Sequence, residues 1–172
     1  MRILPGSLVL LVASAAAAAP ERLTVSSDAF AANAAIPVQY TCDGAAKAPT
    51  LRWSAMPAGT KTVAILVDDP DAEHGPLTHM LVTNLPPDQA SIDLSAALPS
   101  DASLGRNDTG ALGYLAPCPQ DGEHHYHFRV YALDGRIRKA PANHTVTRDS
   151  FLRGISGHVL SEGELVGTYA AR

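Results

Sequence analysis

A mainly β fold, an antiparallel Greek-key sandwich with one or two short helices, is what this sequence predicts, and three observations carry the expectation. Short apolar runs rich in β-branched residues recur along the chain, each only a few residues long. Turn signals separate them, at Asp43-Gly44, Pro57-Ala58-Gly59, Asp69-Pro70, Pro86-Pro87, Asp121-Gly122 and Asp134-Gly135. The longer gaps, such as residues 90–105, are polar and have the length of crossovers between sheets, not of hairpins.

In chain order, strand character falls at residues 23–26, 51–53 and 63–67. The third run is a continuous apolar stretch and reads as buried. It stops at Asp68-Asp69-Pro70-Asp71, because Pro70 has no backbone donor and holds Asp69 extended. Strand character resumes over residues 77–84, strongest at 80–84, and strict alternation would put His79, Leu81 and Thr83 on one face. Residues 107–122 hold Gly110, Gly113, Pro117, Pro119 and Gly122, a loop composition. That loop feeds a strand over 124–133, whose alternation sets His124, Tyr126, Phe128 and Val130 against His125, His127, Arg129 and Tyr131. A helix is predicted over 148–160, capped by Thr147 and carrying Phe151, Ile155 and Val159 at helical spacing. Gly154 and Gly157 weaken it by roughly 1 kcal/mol each. A last strand is expected at 165–169.

The length of 172 residues suits one core. Residues 1–19 read as a secretory signal peptide: Arg2 is the positive start, an apolar run follows, and Ala15–Ala19 offers small residues for cleavage. Residues 20–172 then form a single domain, periplasmic or secreted, with no transmembrane segment. The formal net charge is −4 with no Lys/Arg cluster, which argues against nucleic acid as a partner. Export gives meaning to the two cysteines, Cys42 and Cys118, which are expected to pair as a disulfide.

Several motifs together resemble a known family. They are Asp69-Pro70-Asp71-Ala72, Thr78-His79, Gly113-Tyr114 with Pro117-Cys118-Pro119, the His124-x-Tyr126 pair, and Tyr131-Ala132-Leu133-Asp134. In this order and spacing they are similar to the phosphatidylethanolamine-binding protein family. Tyr40-Thr41-Cys42-Asp43-Gly44 and Gly157-His158-Val159-Leu160 resemble its bacterial Raf-kinase-inhibitor-like branch. The resemblance implies a pocket lined by Asp69, Asp71, His79, His124 and Tyr126, with Gly113, Pro117 and Pro119 in the loop beside it. It implies a small anionic or phosphorylated ligand and no cofactor. The sequence departs from the family pattern at Glu73, Leu77 and Gln120, and no polar pocket position is lost.

The residue types suit that ligand. Imidazolium and phenol groups donate to anionic oxygens, and an aspartate turned to a histidine N–H orients the ring. Each residue also has a plainer role. Asp68 and Asp71 serve equally well as turn formers, His79 as a core histidine, and Tyr126 as packing. A metal-dependent hydrolase built on the same residues is the rival chemistry, but HExxH, paired CxxC and GxSxG motifs are missing. The expectation is therefore a binding protein without a catalytic residue or a metal. An extracytoplasmic protein-interaction or inhibitor module, with an unidentified protein partner, is the alternative.

Overall fold

The computed structural model describes residues 22–138 and 145–171. The signal peptide expected at residues 1–19 lies outside the described residues. Nine strands and one α-helix make up the described fold: β1 (Val25–Ser26), β2 (Ala34–Ala35), β3 (Thr50–Trp53), β4 (Thr62–Asp69), β5 (Leu77–Leu85), β6 (Ser91–Asp93), β7 (Ser103–Leu104), β8 (Glu123–Leu133), α1 (Arg148–Ile155) and β9 (Val159–Ala170). A single 3-10 turn covers Val38–Tyr40.

Three strands form one sheet in the order β1-β3-β6, and six form the other in the order β2-β9-β8-β4-β5-β7. Neighbours distant in sequence, such as β8 beside β4, require the long crossovers that the polar gaps suggested. The antiparallel expectation needs one correction: β2 pairs with β9 in parallel, with Ala34 opposite Gly167. Gly167 is needed there, since a Cβ would lie 2.6 Å from the Phe30 ring.

The main core lies between the sheets. Val25, Leu51, Trp53 and Ile92 of the small sheet meet Ile65, Val67, Met80, Val82, Phe128 and Leu165 of the large one. The outer face of the large sheet holds a second core, where Ala64, Leu66, Leu81, Tyr131 and Leu133 meet Phe151 and Ile155 of α1. Both faces of β4 are thus covered, which fits the unbroken apolar run of residues 63–67 within it.

The helix is shorter than periodicity alone predicts. Thr147 caps it in a reciprocal box with Ser150, but it ends at Ile155. Gly157 then takes a φ of +77°, and Val159 opens β9 instead of completing a third helical turn. The chain on either side of the site is joined by a Cys42–Cys118 disulfide, and no free cysteine occurs among the described residues.

Candidate functional site

The site is assembled at one end of the three central strands of the large sheet. Asp69 is the last residue of β4, where the pyrrolidine of Pro70 ends the ladder. Its two carboxylate oxygens do different work. Oδ1 accepts the Asp71 backbone N–H at 2.8 Å, which makes the turn, and Oδ2 lies 2.8 Å from Nδ1 of His124. The turn and the contact with His124 therefore rest on one side chain.

His79 reaches the site through a β-bulge. Val67 pairs with Met80 but Asp68 pairs with Thr78, so His79 is an extra residue on β5. This overturns the alternation expected for His79, Leu81 and Thr83. Leu81 packs in the outer core, whereas His79 stands edge-on to Tyr126 with ring centroids 5.2 Å apart. Bulges commonly re-aim a side chain beside a site, and here one turns a histidine toward the cavity.

The loop between β7 and β8 is pinned back onto β5. The Leu115 N–H donates to the His79 carbonyl at 2.8 Å, and the Leu115 carbonyl lies 2.6 Å from His79 Nδ1. Asp108 clamps Thr78 in the same two-way fashion, through its carboxylate and its N–H. Asn107 is buried and its amide closes the loop onto Thr109, Ala111 and Gly113. These bonds fix the loop while Cys118, Pro119, Gln120 and Asp121 face the cavity.

His124 and Tyr126 keep the alternation expected of β8. Tyr126 belongs to the inter-sheet core, and both line the cavity. His125 and His127 point the other way, onto Asp71 and Glu164.

A cavity of about 270 Å³ is bounded by Asp69, His79, His124 and Tyr126, with Leu77, Leu115 and Ala116 as apolar wall. Asp71 stands outside this lining. Its carboxylate accepts from the His125 backbone N–H at 2.9 Å and pairs with the His125 ring at 2.7 Å, and it does not line the cavity. That hydrogen bond holds the Asp71 carboxyl below its ordinary range. Gly113 and Pro117 also fall outside the lining and serve the loop instead. Gly113 adopts a φ of +103°, and the Pro117 carbonyl accepts the Cys42 N–H. Of the three expected loop residues, Pro119 alone faces the cavity.

Asp68 was readable as a turn former and is instead a buried carboxylate on the opposite face of β4. Arg129 binds one of its oxygens and Arg148 the other. Sequence reasoning also missed Glu73 and Asp121 as lining residues. Glu73 stood out only as a departure from the family pattern, and Asp121 only as part of a turn.

The electrostatics differ from a simple cationic anion trap. Burial lowers the proton affinity of His79 below the ordinary histidine value, despite its bond to Leu115 and the nearby Asp69, Asp68 and Asp108. Burial thus favours the neutral ring, and the Leu115 carbonyl, which can only accept, places its hydrogen on Nδ1. Burial, then the charge of Asp69, push the Tyr126 phenol well above its usual value, so it remains an O–H donor. No group of three or more His, Cys, Asp or Glu side chains arranged to hold a metal occurs among the described residues.

A domain of two packed sheets with a His/Asp/Tyr cavity at a strand end is the class these features define. The model of the phosphatidylethanolamine-binding protein family matches residues 26–170, and the chain belongs to that family. A UPF0098 protein of Methanothermobacter thermautotrophicus is 38% identical over 151 residues, covering 86% of this chain and 98% of the relative. LppC of Mycobacterium tuberculosis, named as a candidate lipoprotein, is 38% identical over 159 residues, covering 91% of this chain and 77% of its own. Among solved structures, CT736 of Chlamydia trachomatis, titled as a candidate homologue of the family, superposes with a TM-score of 0.80 at 33% identity. That match covers 88% of this chain and 99% of the other. E. coli YbcL gives a TM-score of 0.79 at 28% identity, covering 88% and 100%.

Proposed function

We propose that this chain is an exported binding protein that captures a small anionic, phosphate-like or phospholipid head-group ligand in the Asp69/His79/His124/Tyr126 cavity. One observation carries the reading: side chains from three strands converge there, and His124 is held by Asp69 at 2.8 Å so that its Nε2 edge is free for a ligand. When the ring holds both protons, Nε2–H and the Tyr126 O–H are two donors for oxyanion oxygens. Asp69 offsets the charge that the ring then carries.

Binding is favoured over nucleophilic catalysis at this lining. It has no Ser or Thr, and its one cysteine, Cys118, is consumed in the disulfide. Export is supported by the disulfide and by the lipoprotein name of the mycobacterial relative.

Calorimetric titration with inorganic phosphate and phosphoethanolamine tests the reading. His124→Ala should weaken binding by roughly 1.5–3 kcal/mol, the range for a charge-assisted bond. His125→Ala, which faces away, should leave affinity unchanged. Equal losses in the two variants would refute the assignment.

A further inference from the structure

The least satisfied atom of the cavity is Nε2 of His79. The residue is 2% exposed, its Nδ1 is committed to the Leu115 carbonyl at 2.6 Å, and Nε2 is buried without a hydrogen-bond partner. A carbonyl can only accept, so Nδ1 carries the hydrogen and Nε2 of the neutral ring is a bare lone pair. Buried polar atoms are seldom left unpaired in folded proteins, and one that faces a cavity is paired by water or by a ligand.

No group of the surroundings is bonded to it. Asp69 at the end of β4, Glu73 in the β4–β5 connection and Asp121 before β8 line the same cavity, and no Lys or Arg does. Asp68 and Asp108 act on the ring from β4 and from the loop, again as carboxylates. The Tyr126 ring stands at 85° to that of His79, with centroids 5.2 Å apart. The cavity thus offers donors at Tyr126 and at doubly protonated His124, and an acceptor at His79.

We propose that His79 reads a proton on the ligand: an oxyanion that brings its own O–H, a hydrogen-phosphate-type group, is favoured over tetrahedral oxyanions without one, phosphodiester head groups included. This rests on the reading that the cavity takes a phosphate-like anion, and it specifies which form of that anion fits. One ligand oxygen donates to His79 Nε2 while its unprotonated oxygens accept from His124 and Tyr126. A site built to pair with an O–H discriminates strongly against an isostere that lacks it, because the isostere sets an anionic oxygen against a lone pair.

Three probes separate the possibilities: inorganic phosphate, which keeps an O–H in both its mono- and dianion; sulfate, with the same shape and none; and phosphoethanolamine, whose phosphoryl group loses its O–H near pH 6. Titrations of the whole mature protein, in buffers free of these anions, should give phosphate an advantage over sulfate of about 30-fold or more at neutral pH. The ratio of phosphoethanolamine to phosphate affinity should fall about tenfold per pH unit above pH 6, and the ratio cancels any titration of the protein common to both. Nitrogen NMR of the phosphate complex should show His79 still singly protonated, at Nδ1. Sulfate within threefold of phosphate, or a doubly protonated His79 in the complex, would overturn the inference and leave the anion site standing. Failure of all three probes to bind would overturn the anion site itself, and this inference with it.

Discussion

His79 joins the fold and the site in a single ring. The sequence places it on a strand and offers two roles, core histidine and pocket residue; the ring is buried like a core residue and also borders the cavity. What sequence could not indicate is its charge, since that depends on how completely neighbours from β8 and the loop exclude water. Its lowered proton affinity has a consequence for stability. Between the depressed folded value and the ordinary 6.5, the unfolded chain holds a proton that the folded one lacks. Stability therefore rises with pH through that interval, levels off above it, and is lost as pH falls. The slope from this group cannot exceed about 1.4 kcal/mol per pH unit. His79→Gln retains an amide donor for the Leu115 carbonyl and removes the titration. Urea unfolding between about pH 5 and 7 should show a shallower pH dependence for the variant. Equal slopes in variant and parent would mean that His79 is not held neutral.

At the scale of elements, alternation was a sound guide on β8 and misleading on β5. The β8 residues His124, Tyr126, Phe128 and Val130 keep one face because the strand pairs in regular register with β4 and, up to Ala132, with β9. On β5 a bulge at His79 shifts the phase, and a bulge depends on the partner strand, which no local pattern contains. The helix boundary failed for a related reason: Val159 continues the helical spacing but finds its partner as a strand opposite Leu133. The element that sequence hid most fully is the ion cluster linking β4, β8 and α1 through Asp68, Arg129 and Arg148. Its carboxylate side chain is only 2% exposed, so it depends on both cations. Replacing Arg129 and Arg148 together by Met should cost about 3–5 kcal/mol, the range for stranding a buried charge. Adding Asp68→Asn to that double variant should recover most of the loss in denaturant titrations. A triple variant no more stable than the double one would contradict the charge argument.

For the whole molecule, composition and turn spacing were enough for a two-sheet β architecture, and the family membership agrees with it. The parallel β2–β9 pair escaped because two-residue strands leave no periodic trace. Four of the five expected polar site residues meet in one cavity, and Asp71 does not. The DPDA motif could not separate the two aspartates: they are two residues apart, and which one faces inward depends on the turn made by Asp69 itself. The disulfide spans 76 residues of sequence and holds the cavity loop against the segment after the 3-10 turn. On the chain-entropy picture a closed loop of that length stabilises the fold by about 4–5 kcal/mol. The wall formed by Cys118 and Pro119 is thereby anchored before any ligand arrives, as a preorganised site requires.

The central claim is that this wall and the three strand ends enclose an anion site. The most direct measurement is a crystal structure of the mature protein grown without sulfate and soaked in phosphate. The account predicts tetrahedral density in the cavity, within hydrogen-bond reach of His124 Nε2, the Tyr126 hydroxyl and His79 Nε2. Phosphate bound elsewhere on the surface, with water alone filling the cavity at a saturating concentration, would contradict it.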